Sequence, residues 1–195
     1  MLADPLTAVV LSDEYRVSHP ADGGDRCLAI TVSADVYEEA IGPSRILPVR
    51  QRLRLTVATD ELEGDETGMA LLAQLTHAAP LRGSARIEQV REALGAEPAR
   101  SWTLAEVAEL VHVSPYHLAR QFKAATGQTI AQYLLGLRLA LALDRLQGGE
   151  DDLARLSADL GFAGHSHFTE RFRRAFGITP SQVRKNLIAR RARPT

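Results

Sequence analysis

The sequence predicts an α+β chain in which a short β-rich unit precedes an all-helical one of about seven helices. Three observations carry that reading. Hydrophobic spacing changes from alternation before residue 58 to three-and-four spacing from Asp65 onward. Charge divides further along: residues 1–79 hold 6 Lys and Arg against 13 Asp and Glu, whereas 80–195 hold 17 against 11. The helical half also contains one structural plan written twice.

The first 60 residues read as strands. LTAVVLS, YRVSHP and RCLAITVS are short runs rich in β-branched residues, broken by Asp, Pro and Gly-Gly. ADVYEEAI, opened by Ser33, fits a short helix. RQRLRLTVA then sets Arg52, Arg54 and Thr56 against Leu53, Leu55 and Val57, the alternation of a half-buried strand. In DETGMALLAQLTHA, Met69, Leu72, Leu75 and Thr76 fall on one helical face, and Pro80 and Gly83 punctuate its end. Residues 78–84 are therefore the expected boundary, with 1–79 as one unit.

The helical unit divides at its caps. Ser84 is expected to cap a helix to about Leu94, ended by Gly95 and Pro98. Thr103 and Glu106 form a capping box, each satisfying a backbone amide of the other's turn, for a helix to about Val111. Ser114 followed by Pro115 opens a helix to Thr126, because proline at the first position loses no hydrogen bond. Thr129 opens a long helix ending at Gly148-Gly149. Asp151 or Asp152 caps the next, through Leu160, and another runs from about Gly164 to Phe176. Thr179-Pro180 opens the last.

LAEVAELVHVSPYHLARQFKAATG (104–127) and LARLSADLGFAGHSHFTERFRRAFG (153–177) are the two copies. Leu104 pairs with Leu153, Val107 with Leu156, Ala108 with Ser157, Val113 with Phe162, Leu118 with Phe168, Phe122 with Phe172 and Gly127 with Gly177. One inserted residue between Phe162 and Phe168 keeps the register. A short helix, a tight connection and a longer basic helix make a helix-turn-helix, with small residues at 108 and 157 where the helices approach. A single copy is equally an ordinary helical hairpin. Two copies with basic second helices point to DNA, since a helix fits the major groove while its predecessor crosses the backbone. No carboxylate lies between Glu109 and Asp144, or after Glu170, where Arg171, Arg173, Arg174, Arg184, Lys185, Arg190, Arg191 and Arg193 follow. By itself such a run is also what a solvated basic face looks like. From Ile130 to Gln147 a helix spans roughly 27 Å, and with its flanking turns approaches the about 34 Å between successive major grooves.

Composition excludes several classes. Of 195 residues, 45% are hydrophobic and 24% charged, which is ordinary for a globular chain. No apolar run reaches the roughly 18 residues of a membrane span. The N-terminus MLADPLTAVV lacks a signal peptide's basic and apolar regions, so a cytoplasmic location is expected. With Cys27 alone there is no intrachain disulfide and no Cys₂ or Cys₄ zinc site. No nucleophile–base–orienter set, phosphate-cradling glycine loop or metal-spaced ligand set is present in the sequence, so no enzyme activity and no cofactor are expected.

WTLAEVAELVHVSPYHLARQFKAATG, the long helix and LARLSADLGFAGHSHFTERFRRAFGITPSQVR resemble the DNA-binding domain of AraC/XylS-type transcriptional regulators over residues 84–187. The most diagnostic stretch runs from Gly161-Phe162 through Phe168, Phe172, Phe176-Gly177 and Thr179-Pro180 to Arg184. The resemblance implies a homeodomain-like tandem helix-turn-helix domain over 84–190. Its first unit would cover 103–126, its linker helix 129–147 and its second unit 152–176. It further implies a sequence-specific regulator of bacterial transcription, commonly an activator, with both recognition helices in adjacent grooves on one side of the DNA. Double-stranded DNA and RNA polymerase are the implied partners. A small-molecule effector and a homodimer are left open, and so is a constitutive regulator whose N-terminal unit only dimerises.

By position, Pro115, Tyr116, Ala119 and Arg120 would face bases, with Lys123 nearer the backbone. Positions 116, 119, 120 and 123 do share a helical face, and Arg120 suits a bidentate contact to guanine. In the second unit the matching residues are His165, Ser166, Thr169 and Glu170, with Arg173 and Arg174 suited to phosphate. Glu170 departs from the basic or polar residue usual there; it either accepts from a cytosine N4 or holds Arg174 in an i,i+4 pair. The family's β-rich sensing or dimerising domain would correspond to residues 6–58, with 65–79 as its helical dimerisation element. About 60 residues are too few for a small barrel, so the unit is read as partial and cupin-like, either truncated or naturally short. A related fusion with a zinc-bound alkyl-accepting cysteine would need four cysteines.

Other residues read as structural. His19 is a surface histidine before a proline, and Cys27 a small buried hydrophobe. His165 and His167 diverge by about 200° on a helix and could not share a metal. Trp102 is expected to pack against the capping box.

Overall fold

The computed structural model describes residues 7–10, 45–48 and 84–191. Strand β1 (Thr7–Val10) lies within the run LTAVVLS. It pairs antiparallel with β2 (Arg45–Pro48), Thr7 opposite Pro48 and Val10 opposite Arg45. β2 falls outside the runs read as strands, because RILP is too short to show a period. The other expected N-terminal strands, the helices over 34–41 and 65–78, and residues His19 and Cys27 lie outside the described residues.

Seven helices follow among the described residues. They are α1 (Ala85–Ala96), α2 (Leu104–Leu110), α3 (Pro115–Thr126), α4 (Ile130–Gly148), α5 (Leu153–Asp159), α6 (His165–Phe176) and α7 (Pro180–Arg191). The caps explain the boundaries. Thr103 Oγ1 accepts from the Glu106 amide while Glu106 accepts from the Thr103 amide at 2.7 Å. Ser114 Oγ accepts from the His117 amide, with Pro115 at the first position of α3. Thr129 with Gln132 and Thr179 with Gln182 build the same reciprocal box on an amide in place of a carboxylate. Gly127 and Gly177 end α3 and α6 at φ of 74° and 86°, a left-handed turn that only glycine adopts without steric cost.

Two helix ends and one capping bond differ from expectation, and the choice between Asp151 and Asp152 is resolved. Ser84 occupies the N-cap of α1, but its hydroxyl makes no capping bond. The helix also runs through Gly95 to Ala96; the terminator is Pro98, whose ring forces the preceding Glu97 out of the helical region, to φ −130° and ψ 63°. At α5 the cap is Asp152, whose carboxylate accepts from the Ala154 and Arg155 amides. Leu160 forms that helix's C-cap and is not part of it.

Two apolar cores form, and one helix belongs to both. The first gathers Ile87, Val90 and Leu94 of α1, Val107 and Ala108 of α2, Leu118 and Phe122 of α3, and Ile130, Tyr133, Leu134, Leu137 and Ala140 of α4. The second takes Leu139, Ala142, Leu143 and Leu146 from the same α4 and adds Leu153 and Leu156, Phe162, the phenylalanines of α6 and Val183 of α7. Helix α4 is thus apolar on nearly all sides, the mark of a buried spine. It closes the first three-helix head and opens the second.

Candidate nucleic-acid interface

Each head presents its longer basic helix in the same way. From Ser114 to Gly127 and from Gly164 to Gly177 the sequence of buried, half-buried and exposed positions is identical, residue for residue. Leu118, Phe122 and Thr126 point inward in α3, and Phe168, Phe172 and Phe176 do so in α6. The turns match as well: the Val113 amide donates to the Ala108 carbonyl at 3.1 Å, and the Phe162 amide to the Ser157 carbonyl at 3.1 Å. Ala108 and Ser157 are both buried at the helix crossing, which supports their reading as close-approach positions.

The same periodicity fixes what faces outward. On α3, Pro115, Tyr116, Arg120 and Lys123 are exposed and Ala119 is half-buried. Tyr116 stands 77% exposed, a large aromatic ring left in water with no core function. Neither Arg120 nor Lys123 has a charged partner among the described residues. On α6, His165, Ser166, Glu170, Arg173 and Arg174 are exposed and Thr169 is half-buried. The structure therefore brings the residues singled out from the sequence onto one open face of each helix. Leu118, Phe122, Phe162, Phe168, Phe172 and Phe176 are buried.

The two faces differ electrostatically. Glu170 lies 3.5 Å from Arg174 and 3.8 Å from Arg173, so the second helix carries its own counter-charge. These are exposed pairs, each worth at most about 1 kcal/mol. His165 approaches the Thr169 hydroxyl at 3.5 Å, and the His167 ring accepts from Arg171 Nε at 3.1 Å while resting its edge near Phe162. Among the described residues no His, Cys, Asp and Glu cluster could hold a metal ion, and no helix is long and apolar enough to cross a membrane.

Several positioning residues were not apparent from the sequence. Arg138, in the middle of α4, donates from Nε to the Pro98 carbonyl at 2.7 Å and from Nη1 to the Gly161 carbonyl at 2.9 Å. Its Nη2 reaches the Arg100 carbonyl at 2.9 Å and the Ala99 carbonyl at 3.4 Å. Burial pushes its pKa down, since carbonyl dipoles and no carboxylate compensate it. The signal was there: a lone cation in the apolar run LGLRLALAL must find acceptors somewhere. Arg91 is buried against Glu88 and the Tyr133 hydroxyl, tying α1 to α4. Arg145 bridges Glu150 and Asp159 at 2.6 and 2.9 Å, which raises the arginine's pKa, lowers that of Glu150, and fixes the α4–α5 corner. Trp102 packs on the Glu97–Arg100 turn, donating to the Glu97 carbonyl beneath the Arg100 guanidinium, which stacks at 3.9 Å.

Comparison with known proteins agrees with this geometry. The family described as "Helix-turn-helix domain" matches residues 107–186. A Streptomyces lividans protein named as a putative AraC-like transcription regulator is 38% identical over 90 residues, covering 46% of this chain and 30% of the relative. The chain spans about a third of the length of the curated relatives it matches. Among solved structures, a Chromobacterium violaceum transcriptional regulator described as containing an AraC-type DNA-binding domain superposes with TM-score 0.50 at 29% identity, over 56% of this chain and 95% of that one. The C-terminal domain of AraT, a response regulator from Geobacillus stearothermophilus, superposes with TM-score 0.51 at 27% identity, over 53% and 87%. The helical unit is thus similar, in sequence and in fold, to the helix-turn-helix DNA-binding domains of AraC-type transcriptional regulators.

Proposed function

We propose that this chain is a sequence-specific DNA-binding regulator of transcription that reads double-stranded DNA with α3 and α6 in successive major grooves. The supporting observation is the repeated face: two basic helices with identical burial patterns, held on one shared spine, each exposing polar and cationic groups in register. Helix α4 contributes 19 residues, about 28 Å of rise, and its flanking turns extend the separation toward the about 34 Å of one DNA turn.

Within this reading Pro115, Tyr116, Ala119 and Arg120 meet bases, Arg120 as the guanine-directed fork, and Lys123 meets the backbone. On the second head His165, Ser166 and Thr169 meet bases while Arg173 and Arg174 turn to phosphates. That turn releases Glu170, whose carboxylate can then accept from a cytosine N4. Residues 84–190 constitute the reader, and 1–79 a partial sensing or dimerising unit. RNA polymerase is the expected partner at a regulated promoter.

Sites selected by the chain from random DNA provide the test. Arg120→Ala should cost about 1–3 kcal/mol on the selected site and relax preference at one base pair. Arg173→Ala should weaken binding to all sequences and reduce the salt slope by about one. Unchanged affinity for Arg120→Ala on every duplex would remove the recognition assignment.

A further inference from the structure

The α1–α2 loop of the first head touches the α5–α6 turn of the second. At Gly161, a Cβ would collide with the Ala99 carbonyl oxygen, so the backbone of 98–100 runs directly against the α5–α6 turn. Arg138 sits at this junction and bonds to both sides, to Pro98 and Arg100 on one and to Gly161 on the other. The contacts span 40, 38 and 23 residues of sequence, and all acceptors are backbone carbonyls. A planar guanidinium with donors in fixed directions can satisfy such a set only when the three segments hold one arrangement.

We propose that Arg138 is a positioning residue that locks the two heads in one relative orientation, and so sets the half-site spacing this chain accepts. The proposal rests on the DNA-reading function above. The Gly161 carbonyl belongs to the turn that aims α6, whereas 98–100 immediately precede Trp102 and the cap of α2. Releasing Arg138 therefore frees the second recognition helix relative to the first without removing any group that faces DNA. Each head keeps its own apolar core.

The first measurement needs no DNA. Nitroxides are placed at Ala105→Cys on α2 and Ala154→Cys on α5, both exposed, in a Cys27→Ser background. Inter-spin distances should form one narrow distribution in this parent and a broad one when Arg138→Gln is added. The second measurement titrates the parent and variant against the selected site and against duplexes with one or two base pairs inserted or deleted between half-sites. The parent should lose roughly tenfold or more per shift, the scale of a lost base contact, while Arg138→Gln should show a much flatter spacing profile. Arg138→Lys, which keeps the charge without the fork, should behave like the glutamine variant, and it replaces that variant if circular dichroism shows Arg138→Gln unfolded. An equally narrow distance distribution in the variant would overturn the lock. If the parent selects no DNA, the functional reading fails, and the distance distributions alone decide for or against Arg138.

Discussion

The two heads share a plan but differ in how they are held together. The first head mixes chemistries: an apolar centre at Val107, Leu118 and Phe122, with buried Arg91, its half-buried partner Glu88 and the Tyr133 hydroxyl beside it. The second head runs a chain of aromatic rings through its aliphatic core, with Phe162, Phe168, Phe172 and Phe176 in successive ring contacts at 5.0, 5.7 and 4.4 Å. A matching outer face thus needs only a matching pattern of burial, not matching core chemistry. Repetition is conserved in geometry where helices must be presented, and relaxed where side chains merely fill space.

The largest expected effects test that distinction at its centre. Phe122→Ala and Phe172→Ala remove equivalent side chains, each fully buried, and each should cost about 3–5 kcal/mol in urea unfolding. Phe172 has two aromatic neighbours and Phe122 one, Tyr133 at 5.3 Å, so the second variant should be the worse by about 1 kcal/mol. Because α4 supplies both cores, each variant should shift one common transition. Two separate transitions would show that the heads fold independently and that the shared spine is not an energetic link.

A smaller contrast lies at the turns. His112 and Gly161 are equivalent, and both have positive φ, 52° and 71°. Gly161→Ala should destabilise by more than the about 1–2 kcal/mol of left-handed strain, because the added methyl also meets the Ala99 carbonyl. His112→Gly should be near neutral, histidine being tolerated there among non-glycine residues. Equal effects at the two turns would mean that the Ala99 approach is not a real constraint.

These contrasts also show which parts of the molecule the sequence could reveal. The caps at Thr103, Ser114, Thr129 and Thr179 were legible because a capping residue and its amide lie three positions apart. The exposed faces of α3 and α6 were legible because the same three-and-four spacing that buries Phe122 and Phe172 leaves Arg120 and Glu170 outside. The end of α1 falls two residues later than expected because, of the two stop signals at Gly95 and Pro98, the operative one is the ring of Pro98 acting on Glu97. Arg138 was invisible as a joint, since its acceptors are backbone carbonyls brought together only by the tertiary fold. Backbone acceptors leave no trace in residue type.

The helix crossings give a weaker effect of opposite sign. Ser157 occupies the place of Ala108, and its buried hydroxyl has no hydrogen-bond partner among the described residues. A buried hydroxyl without a partner forfeits its hydration, so Ser157→Ala should be stabilising, by on the order of 1 kcal/mol. A loss of stability on removing the hydroxyl would show that Ser157 does have a partner in solution, and that the two crossings are not equivalent.

The smallest effect separates the capping boxes by pH. Among the described residues three helices start on a Thr box, and only α2 closes its box with a carboxylate. Hydrogen bonds from the Thr103 hydroxyl and amide, with help from Arg100, hold Glu106 at about 2, against 4.5 without them. The folded chain then binds that proton more weakly than the unfolded chain does, so stability from this box is complete above 4.5 and declines as pH falls toward about 2. Gln132 and Gln182 perform the same capping with an amide oxygen that does not titrate. Glu106→Gln should therefore convert the first box into the form of the other two. It should lower stability slightly at neutral pH, through loss of the Arg100 pair at 3.2 Å. The gap between parent and variant urea midpoints should then close as pH drops through that window. Glu150 is also held low, by Arg145, but is common to both proteins and cancels in the difference. A gap that stays constant from neutral pH down to about 2 would mean that Glu106 caps α2 no differently from a glutamine, and that the first head's box is no more charge-dependent than the other two.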